Sequence, residues 1–209
     1  LFFGHQSVGS NILDGVKDVT GGRVALREGR SRDLLGSPGL LHTAIGQNEA
    51  PSSKLADFEA ALDGLGDEVD VTFLKFCYID FAANTDADKL FAEYRATLSR
   101  LQAKHPKVTF VHLTVPLTVV QEGAKAWLKK KVLGQEPWGA KENVVRHHFN
   151  TLLRQELAGQ PLFDLAALES TRPDGTAVTF EFAGQTLPAL AREYTDDGGH
   201  LNGAGRRRV

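Results

Sequence analysis

Two short stretches at opposite ends of the chain carry the residue types of acyl-transfer chemistry. Near the start, Gly4-His5-Gln6-Ser7-Val8-Gly9 follows an apolar run and precedes a helical pattern, so Ser7 falls on a strand-to-helix turn. A serine there projects its hydroxyl from the carboxyl edge of a sheet, beside helix N–H groups and a positive dipole end that favour a developing oxyanion. The same position suits an ordinary N-cap. Near the end lies Asp196-Asp197-Gly198-Gly199-His200-Leu201-Asn202. A carboxylate three residues before a histidine, with two glycines between, lets Asp197 orient His200 and stabilise its imidazolium form, with Asp196 as local competitor. Taken together the two ends supply nucleophile, base and orienter.

Other residues compete for a role. Cys77 ends the longest apolar run and Asp80 lies just beyond it; Cys77 is a thiol at the right edge of a sheet or a buried packing residue, and Asp80 lies near the pocket, holding a loop or facing substrate, or caps the next helix. His5 flanks Ser7 and either lines the pocket or holds a loop. His147 and His148 are adjacent on a helical stretch and diverge, a poor geometry for shared metal ligation. The long stretch 117–141, with Trp127, Lys129-Lys130-Lys131 and Trp138, reads as a lid or sugar-stacking rim, or as an amphipathic helix with a solvated lysine face. Arg206-Arg207-Arg208 reads as a solvated tail or a cut-off helix.

The elements that must position these groups alternate between strand and helix periodicity. Strands are expected at residues 1–3, 23–27, 69–78, 107–113 and 162–165. Between them, helices are expected over 7–19 (stopped by Gly21-Gly22), around Leu55, Phe58, Leu62 and Leu65, from Thr85-x-x-Asp88 through Leu101, and over 142–157. Residues 28–51 read as a Gly/Ser/Pro-rich loop, and 177–186 as a hairpin after an Asp174-Gly175 turn. This order predicts one domain over 1–209 with an α/β fold, a three-layer α/β/α sandwich of flavodoxin-like type around a largely parallel five-stranded sheet. Sites in such sheets lie beyond the carboxyl ends of the strands.

At this point the chain resembles the SGNH hydrolases, also called GDSL-like lipases and esterases. The resemblance rests on the serine within Gly4-His5-Gln6-Ser7-Val8-Gly9, on Asp197-x-x-His200-Leu201-Asn202 with Gly205 after it, and on the βα order between. Asn143-Val-Val-Arg146-x-x-Phe149-Asn150-x-x-Leu153-Arg154 is similar to the helix before that family's last strand, and Val115-Pro116 to the end of its fourth. The resemblance implies Ser7 as nucleophile, His200 as base and Asp197 as third member, with no metal or cofactor. Two departures stand out. Gln6 occupies the position where an aspartate is common, and Ile79 stands where the family's oxyanion asparagine would fall. Ile45-Gly46-Gln47-Asn48 resembles the second block, which makes the N–H groups of Ser7 and Gly46 and the Asn48 side chain the expected donors, with His5 and Asp80 near the substrate. Hydrolysis of an ester, with acetyl groups on a carbohydrate as one class, is the implied reaction. The alternatives are a weakly active or non-catalytic ligand- or glycan-binding member, motivated by Ile79, and an acyltransferase that hands the acyl group to a sugar.

Composition bounds the partners. With 24 Lys and Arg against 26 Asp and Glu and a net charge of −2, the chain has no electrostatic footprint for nucleic acid or an anionic membrane, which favours a small or neutral partner; the resemblance makes that a small-molecule or carbohydrate ester. No apolar run reaches the ~18 residues of a membrane span. The single cysteine forms no internal disulfide. The absence of methionine and the start on Leu1-Phe2-Phe3 suggest a processed chain, with a signal peptide removed and a secreted or periplasmic location.

Overall fold

The computed structural model describes all residues except 122 and 124–130. Its main sheet contains five parallel strands in the order β2-β3-β1-β4-β5. These are β1 (Phe2–His5), β2 (Leu26–Glu28), β3 (Leu40–Ala44), β4 (Val71–Leu74) and β5 (Thr109–Phe110). After a break at Val111, β6 (His112–Leu113) carries the direction onward and pairs in parallel with β7 (Leu162–Phe163). With the edge strand β2 set aside, the chain order across the sheet is second, first, third, fourth, fifth, the flavodoxin-like arrangement whose switch point lies beside the first strand.

Alternation along the strands divides the core into two faces. Phe2, Leu41 and Leu74 point to one face and meet α2 (Pro51–Leu65), α3 (Ala87–Lys104) and α4 (Ala140–Glu156). Phe2 stacks on Phe58 of α2, ring centroids 5.9 Å apart. Phe3, Leu40 and Phe73 point to the other face, toward Leu13 of α1 (Val8–Thr20). The short helices α5 (Leu165–Glu169) and α6 (Gly203–Arg208) follow, with α6 packed on α1, and β8 (Thr179–Phe182) and β9 (Gln185–Pro188) form the antiparallel hairpin.

Several boundaries differ from those expected. The stretch 28–51 is not all loop, because β3 lies within it and pairs with β1 on one side and β2 on the other. Its five residues are flanked by Gly36-Ser37-Pro38-Gly39 and Gly46, so turn chemistry hides the strand. The long run 69–78 is a strand only to Leu74, after which it peels away from the sheet. The cap of α3 is Asp86, whose side chain accepts the Lys89 N–H, while Thr85 accepts the Ala82 N–H. Among the described residues no helix is long and apolar enough to cross a membrane.

Candidate active site

Ser7 follows β1, the middle strand of the five, and immediately precedes α1. Its backbone has φ 32° and ψ −93°, and its side chain makes no capping bond to the helix. A non-glycine residue at positive φ is strained, and such strain concentrates where a side chain must be aimed. The N-cap role is therefore not what occupies this hydroxyl. The Oγ instead lies 3.7 Å from Cys77 Sγ. Gly9 lets α1 begin so close to the strand, since a Cβ there would fall 2.4 Å from the His5 Cβ.

Asp197 and His200 form a compact hydrogen-bonded turn. His200 Nδ1 lies 2.6 Å from Asp197 Oδ2, while Asp197 Oδ1 accepts the N–H groups of Gly199 at 2.9 Å and His200 at 2.8 Å. Burial pushes the Asp197 carboxyl upward, but those two N–H bonds and the imidazole outweigh it and hold the group well below the usual carboxylate range. This geometry commits Nδ1 to the carboxylate and leaves Nε2 for other work. Asp196 takes a different partner, the Asn202 amide. The turn is anchored to α1 through the Leu201 N–H, which donates to Asn11 Oδ1 at 3.1 Å. Among the described residues Ser7 and His200 share no direct hydrogen bond; consecutive residues contact each of them, Cys77 the Ser7 Oγ at 3.7 Å and Tyr78 the His200 Nδ1 at 3.4 Å.

Beneath Cys77 lies a buried charged network that sequence reasoning did not find. Lys54 of α2 and Asp80, both with fully buried side chains, pair at 2.6 Å. Asp80 also accepts the N–H groups of Cys77 at 2.7 Å and Glu49 at 3.0 Å, and Lys54 donates to Asn48 Oδ1 at 3.0 Å. One carboxylate thus ties the 46–50 loop to the 77–80 turn. Asp80 holds a loop beside the cleft that opens at Tyr78, with its oxygens engaged inside. Lys75, wholly buried, donates to Phe76 O at 3.0 Å and to Cys77 Sγ at 3.6 Å; burial pulls its ammonium down, opposed by the nearby Cys77. A lysine in an apolar run was the available signal for such a network.

The expected oxyanion donors fare differently. The Gly46 N–H is donated to Asp57 Oδ2 at 2.8 Å and is not free to meet an oxyanion. Gly46 is still needed for space, since a Cβ would fall 2.5 Å from the Lys54 backbone nitrogen. Asn48 is exposed and its amide nitrogen has no partner among the described residues. Ile79 is 41% exposed and offers no polar group. Gln6 serves a neighbouring loop, its amide donating to Ile45 O at 2.8 Å and Gly46 O at 2.6 Å and so holding that second block beside Ser7.

His5 shares the parity of Phe3 and so points to the α1 face, away from Asn48 and Tyr78. It lies 3.2 Å from His42 and packs on Phe3, and burial, then His42 and Lys75, lower its pKa to about 3. His5 is therefore a neutral core residue and not a pocket wall. His147 and His148 contact Thr151 and Asp88 separately, and no group of three metal-ligating side chains occurs among the described residues.

A cleft opens on the outer side of Tyr78, lined by Glu49, Asn84, Trp138, Glu142 and Arg146 among others. The helix α4 builds its floor. Asn143 accepts the Thr118 N–H and donates to Thr118 O, and Asn150 does the same with Val115, so two side chains serve the extended 115–118 segment as a neighbouring strand would. Arg146 donates to Tyr78 O at 3.0 Å, and burial lowers its pKa to about 10. Of the suggested lid, Trp127, Lys129 and Lys130 lie outside the described residues; Trp138 lies at the cleft.

No family model matches the chain, and no curated protein matches it significantly. Among solved structures, a Streptococcus pneumonia protein provisionally described as a platelet activating factor is 18% identical over 99% of this chain and 78% of its own, with a TM-score of 0.54. A protein described as a possible lipase from Chitinophaga pinensis is 16% identical over 99% and 93% of the two chains, with a TM-score of 0.41. The OSK domain of Drosophila Oskar is 10% identical over 89% and 84%, with a TM-score of 0.43. The first of these supports the α/β fold.

Proposed function

We propose that the chain is a serine esterase of the SGNH type in which Ser7 is the nucleophile, His200 the general base and Asp197 its orienter. The observation that carries this reading is the pairing of a strained, uncapped Ser7 after the central strand with an Asp197–His200 turn anchored to the same helix by Asn11. The description of the first fold neighbour, a platelet activating factor, is in keeping with ester chemistry.

The implied sequence is acyl transfer. His200 Nε2 takes the Ser7 proton as the hydroxyl oxygen attacks the ester carbonyl; collapse of the tetrahedral intermediate expels the alcohol, which receives that proton. Water then attacks the acyl-Ser7 ester with His200 again as base. The oxyanion draws on the Ser7 N–H at the α1 terminus and the Asn48 amide, two donors in place of the three expected with Gly46, and each missing donor lowers the rate by about 10²–10³-fold. That cost, together with the engaged Gly46 N–H, supports a second reading in which the protein binds a glycan ester and turns it over slowly. A short acyl group, such as acetyl on a carbohydrate, fits the polar surroundings.

The test is labelling by a fluorophosphonate and turnover of p-nitrophenyl acetate. Wild-type protein is expected to react at Ser7 and Ser7→Ala to do neither; equal labelling of both proteins rejects the nucleophile, and glycan binding without labelling of either favours the second reading.

A further inference from the structure

We infer that the cleft beside Tyr78 is the subsite for the alcohol part of the ester and that this part is a polyhydroxylated ring, a sugar. The inference rests on the esterase reading of Ser7 and His200 and adds to it where the leaving group sits and what it is.

Position comes first. Tyr78 forms the boundary between the cleft and the catalytic turn, its hydroxyl 3.4 Å from His200 Nδ1. On the other rim, Trp138 abuts Gly198, where a Cβ would sit 3.3 Å from the indole ring. The Val119 N–H donates to Gly198 O, and the Gln121 N–H donates to Trp138 O, so the rim and the catalytic turn share one scaffold. A group leaving an acyl-Ser7 centre and passing Tyr78 enters this space. Its volume is about 490 Å³, within the roughly 300–1,000 Å³ of small-molecule sites.

Chemistry then chooses the occupant. Trp138 is 57% exposed, an aromatic face against which the C–H side of a sugar ring can lie. Glu49 and Glu142 offer carboxylate acceptors for hydroxyls. Arg146 is only 4% exposed; its Nε and Nη1 are held by Tyr78 O, Thr118 Oγ1 and Asn143 Oδ1, and its Nη2 has no partner among the described residues. A buried guanidinium with an unused donor, in the wall of a cleft, is a prepared hydrogen-bond donor for a ligand oxygen. An alkyl chain in the same place would desolvate two carboxylates and that donor without replacing their bonds. The apolar hollow of the molecule, about 260 Å³ and lined by Phe3, Leu40, Phe73 and Phe163, lies under α1, and Tyr78, the cleft residue that contacts His200, is not among its walls.

The experiment measures kcat/KM on acetylated xylotetraose and on p-nitrophenyl acetate, together with saturation-transfer NMR of xylotetraose on Ser7→Ala protein. Trp138→Ala and Glu142→Ala are each expected to lower the ratio of the two kcat/KM values at least tenfold and to abolish the transfer signal, with Trp138→Phe restoring part of both. A ratio within twofold of wild type in both alanine variants, or xylotetraose that gives no signal on the parent protein, overturns the subsite. If wild type turns over neither ester, the esterase reading fails, and the NMR titration alone still decides whether the cleft takes a sugar.

Discussion

The Ser7 oxygen lies 3.7 Å from the Cys77 sulfur, and below that sulfur, 3.6 Å further on, is the ammonium of buried Lys75. Hydroxyl, thiol and ammonium form a chain of contacts running from the rim of the sheet into its interior. Two different nucleophiles thus stand side by side, and only one can be the group that reacts.

Exposure separates them, because Cys77 is wholly buried and Ser7 is half-buried. Cys77→Ser is expected to retain turnover within about tenfold, while Ser7→Ala loses at least about 10³-fold, the scale on which nucleophile removal is felt. Mass spectrometry of the fluorophosphonate adduct checks the assignment: an adduct on the peptide carrying Cys77 reverses it.

In the proposed mechanism Asp197 acts only through His200. Asp197→Asn is expected to lower kcat by about 10²–10⁴-fold through loss of the productive tautomer, with KM for p-nitrophenyl acetate changed little. Equal losses in KM and kcat would point to a collapsed turn instead, and circular dichroism distinguishes that case.

The Lys54–Asp80 pair makes a prediction about stability as well as rate. Asp80→Asn alone leaves a buried ammonium without its counter-charge and is expected to destabilise the fold by ~3–5 kcal/mol. Lys54→Met combined with Asp80→Asn removes both charges and should recover much of that stability, as denaturant titration would show. Turnover should not recover with it, because the 46–50 loop has then lost the ammonium that holds Asn48. A double variant with wild-type kcat would show that the pair only fills space.

Glu169 sets a pH dependence. Its side chain is fully buried, Oε2 accepts the Leu117 N–H at 2.8 Å, and Oε1 has no partner. Burial raises its pKa to about 8, against 4.5 when unfolded, so between those values the folded chain holds a proton that the unfolded chain has released. Its contribution is complete below pH 4.5 and is lost as pH rises through 8, with a limiting slope of ~1.4 kcal/mol per pH unit. Unfolding free energies at about pH 5.5, 7 and 8.5 should therefore fall with pH more steeply in wild type than in Glu169→Gln; parallel curves would contradict the buried, protonated state.

Much of this is legible in the residues because the signals are local. Asp197 and His200 are three apart, so their meeting needs only a turn, and the amphipathic periods of α2, α3 and α4 do not depend on distant contacts. What escapes depends on three dimensions. The five residues of β3 are too few to outweigh the glycines and proline around them. His5 sits two residues from the candidate serine, yet strand parity sends it to the opposite face. Gly46 has the right backbone position, but its N–H belongs to Asp57, a residue eleven positions on whose carboxylate is itself held by Arg30. That Asp80 is buried and paired does not show in the residues around it, because its partner, Lys54, lies 26 positions away on α2. Ile79 interrupts the expected block in plain sight, whereas the bonds by which Gln6 and Lys54 hold the neighbouring loop show only when the loops are seen together.

The contact between α1 and α6 has a consequence for how the molecule comes into being. Arg206 reaches Asp18 at 2.8 Å, and Gly15 allows α6 so near that a Cβ there would fall 2.0 Å from the Arg206 carbonyl oxygen. With Leu201 bound to Asn11, 190 positions away, the surroundings of the first strand are completed only by a distant stretch of chain. On the ribosome, Ser7 emerges long before His200, so a nascent or truncated chain lacking that turn has no base to activate the hydroxyl. Long sequence separation of this kind slows folding, and under the proposed mechanism it also confines hydrolytic competence to molecules in which both segments have been made and have met.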